Sequence, residues 1–423
     1  MLRLFSTLIL LLSGFLLLLL KNQHDFDLHV GQPHRARHQV SLTEQVGRSD
    51  QHVQVALGSD TGREEVPLQQ GSGKLEETSN SGNDFVSFDG IDNYLRASVH
   101  PSQPRKKVEI LLFDRVEGYL DWWRPEFVNN AKENCSTECI VSQDKSRLST
   151  ADGVIFHAPT HDVGGFPAKR QRANQKYIYV TLEQPENSNG KFRDPAYRKN
   201  FDLNATYELF SDIPIMTIAP RTAADYHKAK KLAFEEKDGF GEPNAIAAFI
   251  SNCGGGENGA SQRKKIMEDL AKIHPVHSYG GCMQNKKEPA LGGKTSNENK
   301  RLVLQRYKFY LAFENGVVED YVSEKVFDGL LAGSLSVYRG APRIQLFMPS
   351  SSPPSILEYG NFSGVQELAD YLNYLSNNKQ AYEEFFKWKD GEVRMAFDSI
   401  LNMTAYSYYA LCRICAKLAQ SGQ

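Results

Sequence analysis

The chain has 423 residues, 40% hydrophobic, 11% aromatic and 24% charged, which is long for one ordinary domain and apolar enough to bury the cores of two. Its 49 basic and 51 acidic residues leave a formal charge of -2, so no basic excess exists to hold nucleic acid through its phosphates. Six cysteines are too few for a disulfide-dense miniature scaffold.

Residues Leu4 to Leu20 are almost wholly apolar, between Arg3 and Lys21. At about 1.5 Å per residue the run is about 26 Å long, enough for a thin bilayer. It ends without a small-x-small cleavage pattern. We therefore read residues 1–3 as a cytoplasmic tail and 4–20 as an uncleaved signal anchor, with a cleaved signal peptide as the rival. Either way the remainder lies in a lumen or outside the cell, where disulfides form. Residues 21–104 then read as a disordered stem. From Gly31 to Asp84 there is no aromatic residue, and such a polar stretch cannot bury enough area to offset its chain entropy. The five histidines between residues 21 and 84 (His24, His29, His34, His38, His52) fit no common ligand spacing, and Asp25-Phe26-Asp27 is a metal-type DxD only by chance placement. Self-association, if any, would run through this stem.

From Arg105 short apolar runs alternate with helical patterns. Strands are predicted over Val108 to Phe113, Gly153 to Ala158 and Tyr177 to Leu182, then over Ile246 to Ser251, Phe309 to Phe313 and Leu335 to Tyr338. A helix is expected from Ala260 to Ile273, with Ile266, Met267, Leu270 and Ile273 on one face, and another from Val322 to Leu331. This alternation implies an α/β class with parallel, doubly wound sheets. We expect a Rossmann-like domain over 105–223, a second over 243–400, and a closing segment over 401–423. The polar stretch Ala224 to Pro243 serves as hinge. Two such domains leave a cleft, and ligands in open α/β sheets bind at the carboxyl ends of strands. Sequons at Asn134, Asn204, Asn361 and Asn402 agree with a luminal location.

The densest chemistry lies in Phe309-Tyr310-Leu311-Ala312-Phe313-Glu314-Asn315, followed by Asp320-Tyr321-Val322-Ser323-Glu324-Lys325-Val326-Phe327, then Leu331-Ala332-Gly333-Ser334 and Gly340-Ala341-Pro342. It reads as strand, loop, helix start, helix, turn and strand. A helix start offers unpaired N–H groups that suit a phosphate. Lys325 in the first turn opposes the helix dipole, which makes sense if an anionic ligand sits there; a surface Glu324–Lys325 pair is the plainer reading.

This block resembles the signature of the α1,3/α1,4-fucosyltransferases, glycosyltransferase family 10. The likeness extends upstream through Phe249-Ile250-Ser251-Asn252-Cys253, Arg263, His277-Ser278-Tyr279-Gly280, Tyr177 to Pro185 and Ala151 to His157, covering about residues 105 to 415. It implies a GT-B fold and an inverting fucosyltransferase that uses GDP-β-L-fucose, with no metal and no other cofactor. On this resemblance Lys325 and Arg263 would stabilise the diphosphate. Asn315, Tyr321 and Glu324 would contact the base, ribose or fucose, with Ser251, Asn252 and Tyr279 beside them. Inversion needs a base for the acceptor hydroxyl, and Glu183, closing the strand before Pro185, is the candidate. A strand-end turn glutamate is the plain alternative. His157 and Tyr207 are candidates for orienting the acceptor. The implied setting is a Golgi type II membrane protein acting on O3 or O4 of GlcNAc in glycoprotein glycans.

The sequence departs from that pattern in places. Glu208 and Leu209 follow Tyr207 where arginines are common, Ser323 replaces a threonine, and Gly316 stands where Ser or Thr is frequent. Cys253 and Cys282 flank one βα unit and are candidates to pair; Cys412 and Cys415 would pair with Cys135 and Cys139. Their spacing resembles a zinc site, but an oxidising lumen favours disulfides. Two other readings remain: a glycan-binding protein that has lost turnover, and a transferase with a different nucleotide sugar. The acceptor would be recognised by the loops Pro159 to Arg172 and Asn187 to Arg198, which carry no readable code.

Overall fold

The computed structural model describes residues 107–114, 138–161, 170–187, 190–216, 218, 221–254, 259–407 and 410–420. The anchor, the stem with its histidines and DxD, Cys135, the Asn134 sequon and residues 162–169 of the expected acceptor loop lie outside them. Among the described residues no helix is long and apolar enough to cross a membrane.

The first half holds β1 (Lys107–Leu112), β2 (Glu138–Ser142), β3 (Gly153–His157), β4 (Lys176–Thr181) and β5 (Leu203–Thr206), with α1 (Pro195–Arg198) as a single turn. The strands pair in parallel in the order β2-β1-β3-β4-β5. Alternation divides their side chains between two faces. Val108, Ile110, Leu112, Ile178 and Val180 enter one core, while Leu111, Val154, Phe156 and Tyr177 enter the other.

The second half begins with α2 (Ala223–Lys228) and carries β6 (Ile246–Ala248), α3 (Ala260–Leu270), β7 (Val276–Ser278), α4 (Ser296–Gln305), β8 (Phe309–Phe313), α5 (Glu324–Ala332), β9 (Leu335–Arg339), β10 (Leu357–Glu358), α6 (Val365–Asn377), α7 (Lys379–Glu384) and α8 (Met395–Ser407). Its parallel order is β10-β9-β8-β6-β7. Numbered from its own first strand, each sheet runs 2-1-3-4-5, the flavodoxin-like doubly wound order. Helix α5 stops where Gly333 takes the left-handed conformation (φ 64°) that a Cβ would oppose.

Two expectations are corrected. The helix predicted to reach Ile273 ends at Leu270, and Ile273 is 43% exposed rather than on the buried face with Met267 and Leu270. The stretch 224–243 is not a free hinge. Tyr226 is buried against Phe397 (ring centroids 5.3 Å apart), and Lys237 Nζ donates to the Gln305 carbonyl at 3.0 Å, so the polar run is pinned to the second half.

The last helix, α9 (Ala410–Gln420), returns to the first half. Leu411, Ile414 and Leu418 join the core under β1 and β4, and Arg413 donates to the Pro214 carbonyl at 2.7 Å. Cys139 and Cys415 are disulfide-bonded (Cα atoms 5.9 Å apart), as are Cys253 and Cys282 (5.3 Å), so these thiols are crosslinks rather than zinc ligands.

Candidate active site

The order of the second sheet reverses between β6 and β8, which opens a crevice at their carboxyl ends. Arg263 of α3 fills it. Only 3% exposed, its guanidinium donates through Nη1 to the Phe313 carbonyl at 3.0 Å and through Nη2 to the Asn252 carbonyl at 2.7 Å. One cation thus bridges both strand ends, and burial lowers its pKa from the ordinary arginine value. Its Nε is buried with no partner among the described residues, and so is Nη1 of Arg339 at the end of β9.

Beside Arg263 lies the start of α5. Ser323 is its N-cap, yet the hydroxyl makes no capping bond. It donates instead to the fully buried carboxylate of Glu314, with oxygens at 2.7 and 2.9 Å, and the Ser323 N–H reaches the same group at 2.8 Å. The first-turn N–H groups are thereby left without a side-chain cap. Lys325 Nζ bonds Ser323 Oγ at 2.7 Å and pairs with Glu314 at 3.2 Å and Glu324 at 3.5 Å. Burial alone would lower its pKa; the two carboxylates outweigh burial and hold the ammonium above the ordinary lysine value. Lys325 is therefore already paired with two of the chain's own carboxylates. Burial would likewise raise the partly exposed Glu324, but Lys325 and Lys300 hold its pKa below the usual carboxylate value. Lys300 is itself anchored on Asp328 at 2.9 Å.

The first half meets this edge through the loop after β4. The Thr181 hydroxyl turns that loop by accepting the Glu183 N–H at 3.0 Å. Glu183 Oε2 accepts from Asn187 Nδ2 at 2.9 Å and, across the two halves, from the Tyr321 hydroxyl at 3.4 Å. Gln184 Nε2 donates to the Asn315 carbonyl at 3.1 Å, and the Leu209 N–H to Asp320 Oδ2 at 3.0 Å. The Tyr207 and Tyr321 rings meet edge to face, 5.1 Å apart. Tyr321 is 5% exposed, and burial, reinforced by Glu314 and Glu183, keeps its hydroxyl protonated far above the ordinary tyrosine value. Beside Glu183 a pocket is lined by Tyr179, Phe192, Arg198, Tyr207 and Glu208.

The structure therefore brings together Glu183, Tyr207, Arg263, Asn315, Tyr321, Glu324 and Lys325, and the Asn252 carbonyl with them. Ser251 is exposed just past β6. The Tyr279 ring sits in the core, stacked on Phe249 at 4.8 Å, with its hydroxyl 2.6 Å from that of Tyr307. His157 ends β3 at the first sheet's own reversal point. Its ring bonds Thr160 Oγ1 at 2.7 Å, its N–H donates to Asp114 at 2.9 Å, and burial, against the pull of Asp114, lowers its pKa to about 4. Sequence reading passed over Glu314, Gln184 and Lys300. Glu314 could have been found as a carboxylate ending a wholly apolar strand; Lys300, in a polar helix, gave no signal. Among the described residues no group of three His, Cys, Asp or Glu is placed to hold a metal ion.

Two family profiles match the globular region. One, glycosyltransferase family 10 (fucosyltransferase) C-term, covers residues 241–423; the other, fucosyltransferase, N-terminal, covers 105–217. The chain belongs to glycosyltransferase family 10. This family 10 chain is 29% identical over 283 residues to alpha-(1,3)-fucosyltransferase B of Drosophila melanogaster, a match that takes in 64% of the chain and 62% of that relative. It is 28% identical over 277 residues to GDP-fucose protein O-fucosyltransferase 3 of Xenopus tropicalis, with 63% and 57% covered. It thus spans less than two thirds of either relative. A crystal structure of an alpha1,3-fucosyltransferase with GDP aligns over 76% of this chain and 96% of its own, at 19% identity and a TM-score of 0.44.

Proposed function

We propose that this chain is an inverting fucosyltransferase that moves L-fucose from GDP-β-L-fucose to O3 or O4 of GlcNAc in glycoprotein glycans. One observation carries the reading: a carboxylate from the first half, Glu183, lies within reach of Tyr321 at the mouth of the cationic crevice of the second. In this mechanism Glu183 takes the acceptor hydroxyl proton as that oxygen attacks the anomeric carbon. The bond from that carbon to the diphosphate breaks on the opposite face, and its electron pair leaves on the β-phosphate. Arg263, Lys325 and the uncapped start of α5 offset the charge that develops there. Asn187 and Tyr321 orient Glu183 through one oxygen, which leaves the other to receive the proton.

Asn315, Tyr321 and Glu324 would contact the donor, joined by Ser251 and Asn252 at the end of β6. Tyr279 would act through its stack on Phe249. Tyr207, with His157 further along the edge, belongs to the acceptor side. The cations of the chain supply the leaving-group charge, so turnover is expected to persist in EDTA. Placement in the Golgi membrane by the 4–20 anchor, with the catalytic region in the lumen, completes the reading, and the disulfides support an oxidising compartment.

A second reading of the acceptor is a hydroxyl of a protein side chain, favoured by the name of the Xenopus relative. The test is transfer from GDP-fucose, in EDTA, by the full chain and its Glu183→Gln variant, to both GlcNAc glycans and folded protein acceptors. The expected result is turnover on one acceptor class, cut about 10²- to 10⁴-fold in the variant with GDP binding retained. Binding of GDP without transfer to any acceptor would point to a glycan-binding protein without turnover, or to another nucleotide sugar.

A further inference from the structure

Gly316 opens the loop that leads to Tyr321, at a position where a hydroxyl side chain is frequent in the family pattern. No left-handed torsion requires glycine here, so conformational freedom is not the reason for it. Space is the reason. A Cβ added to Gly316 would overlap Gln184 Oε1 and lie 2.6 Å from its Cδ and 3.1 Å from its Nε2. Gln184 is 3% exposed, and its amide donates to the carbonyl of Asn315, the residue before that glycine. A side chain of the first half is thus seated in a notch of the second.

Gln184 directly follows Glu183, so whatever fixes one limits where the other can go. We infer that Gln184 is a positioning residue for the transfer reaction and that Gly316 is the notch that admits it. Together they set where Glu183 stands relative to Arg263 and the start of α5. The inference rests on the reading of Glu183 as the base. An amide suits the place. Its N–H satisfies a carbonyl in a buried contact, whereas a glutamate there would set a second carboxylate beside Glu183 and face that carbonyl with no proton to give.

Breaking the notch does not separate the halves. The Leu209–Asp320 bond and the crosslinked α9 remain, and the end of a glutamine side chain can swing aside. Gly316→Ala is therefore expected to fold while it expels Gln184. A displacement of the base by about 1 Å can cost on the order of 10²-fold in rate.

The experiment compares Gly316→Ala, Gln184→Ala and the double variant in the full chain, reading kcat, donor KM, GDP affinity and Tm. We expect each single change to lower kcat about 10- to 100-fold with GDP affinity held within about twofold, and the double to be no worse than either single. Additive losses, an unchanged kcat, or a fall confined to Tm and GDP affinity would overturn the inference. Glu183→Gln in parallel separates the two readings. If Glu183→Gln keeps full kcat, the base assignment fails, and a non-additive kcat loss in the notch variants then means that the notch places another group of that loop; if Glu183→Gln alone collapses kcat, the notch fails and the base assignment stands.

Discussion

Two sheets of identical strand order have reversal points of opposite charge. In the first, Asp114 past β1 lies against the ends of β1 and β3, its carboxylate taken by the His157 N–H at 2.9 Å and the His161 ring at 3.0 Å. In the second, Arg263 spans β6 and β8, with Lys325 and an uncapped helix start alongside. Topology supplies a crevice in each half; on the proposed reading, the sign of one buried side chain decides which of them takes the diphosphate, the acidic crevice serving only to build the first half.

The largest effect that would break this contrast is expected at Arg263. Replacing it with Met removes the bridging cation and leaves the Phe313 and Asn252 carbonyls unpaired, so GDP affinity should fall about 100-fold or more in a titration of the folded variant. Lysine should restore little, since one ammonium cannot span both carbonyls. Undiminished GDP binding by Arg263→Met would sink the assignment of the second crevice.

Next in size is the pH response of the first half. The His157 value of about 4 lies below the ordinary 6.5, so the folded chain binds fewer protons than the unfolded one. This stability is therefore present above pH 6.5 and lost as pH falls from 6.5 through 4, by about 3 kcal/mol at most. Denaturation midpoints between pH 7 and 4 should fall more steeply in the native chain than in His157→Gln. The smallest effect is expected for Asp114→Asn, which should cost about 1–3 kcal/mol of stability and leave GDP affinity alone. A loss of GDP binding there would mean that the two crevices are not separate in function.

The strands visible in the sequence are the ones buried on both faces: β1, β3, β4, β6, β8 and β9. The four it did not reveal, β2, β5, β7 and β10, are the edges of the two sheets. Leu203–Thr206, Val276–Ser278 and Leu357–Glu358 are short and carry few apolar residues, because an edge strand pairs with only one neighbour; Glu138–Ser142 is as long as β3 but opens and closes on polar residues. The site divides in the same way. Glu183, Arg263 and Lys325 could be named from strand ends, a helix start and a family pattern. That Lys325 is already paired with Glu314 depends on how the short loop between them folds, and that Gln184 occupies the space a side chain at position 316 would need depends on two loops far apart in sequence that meet only in the fold.

The return of α9 to the first half also sets an order of events during synthesis. Cys139 and Cys415 are 276 residues apart, and Leu418 packs on the Gly153 position of β3. The first sheet emerges early from the ribosome, but the layer that closes one of its faces emerges only after the entire second half. In the interval the apolar face of β1, β3 and β4 stands uncovered, which makes the nascent first half a client for chaperones until residues 410–420 arrive.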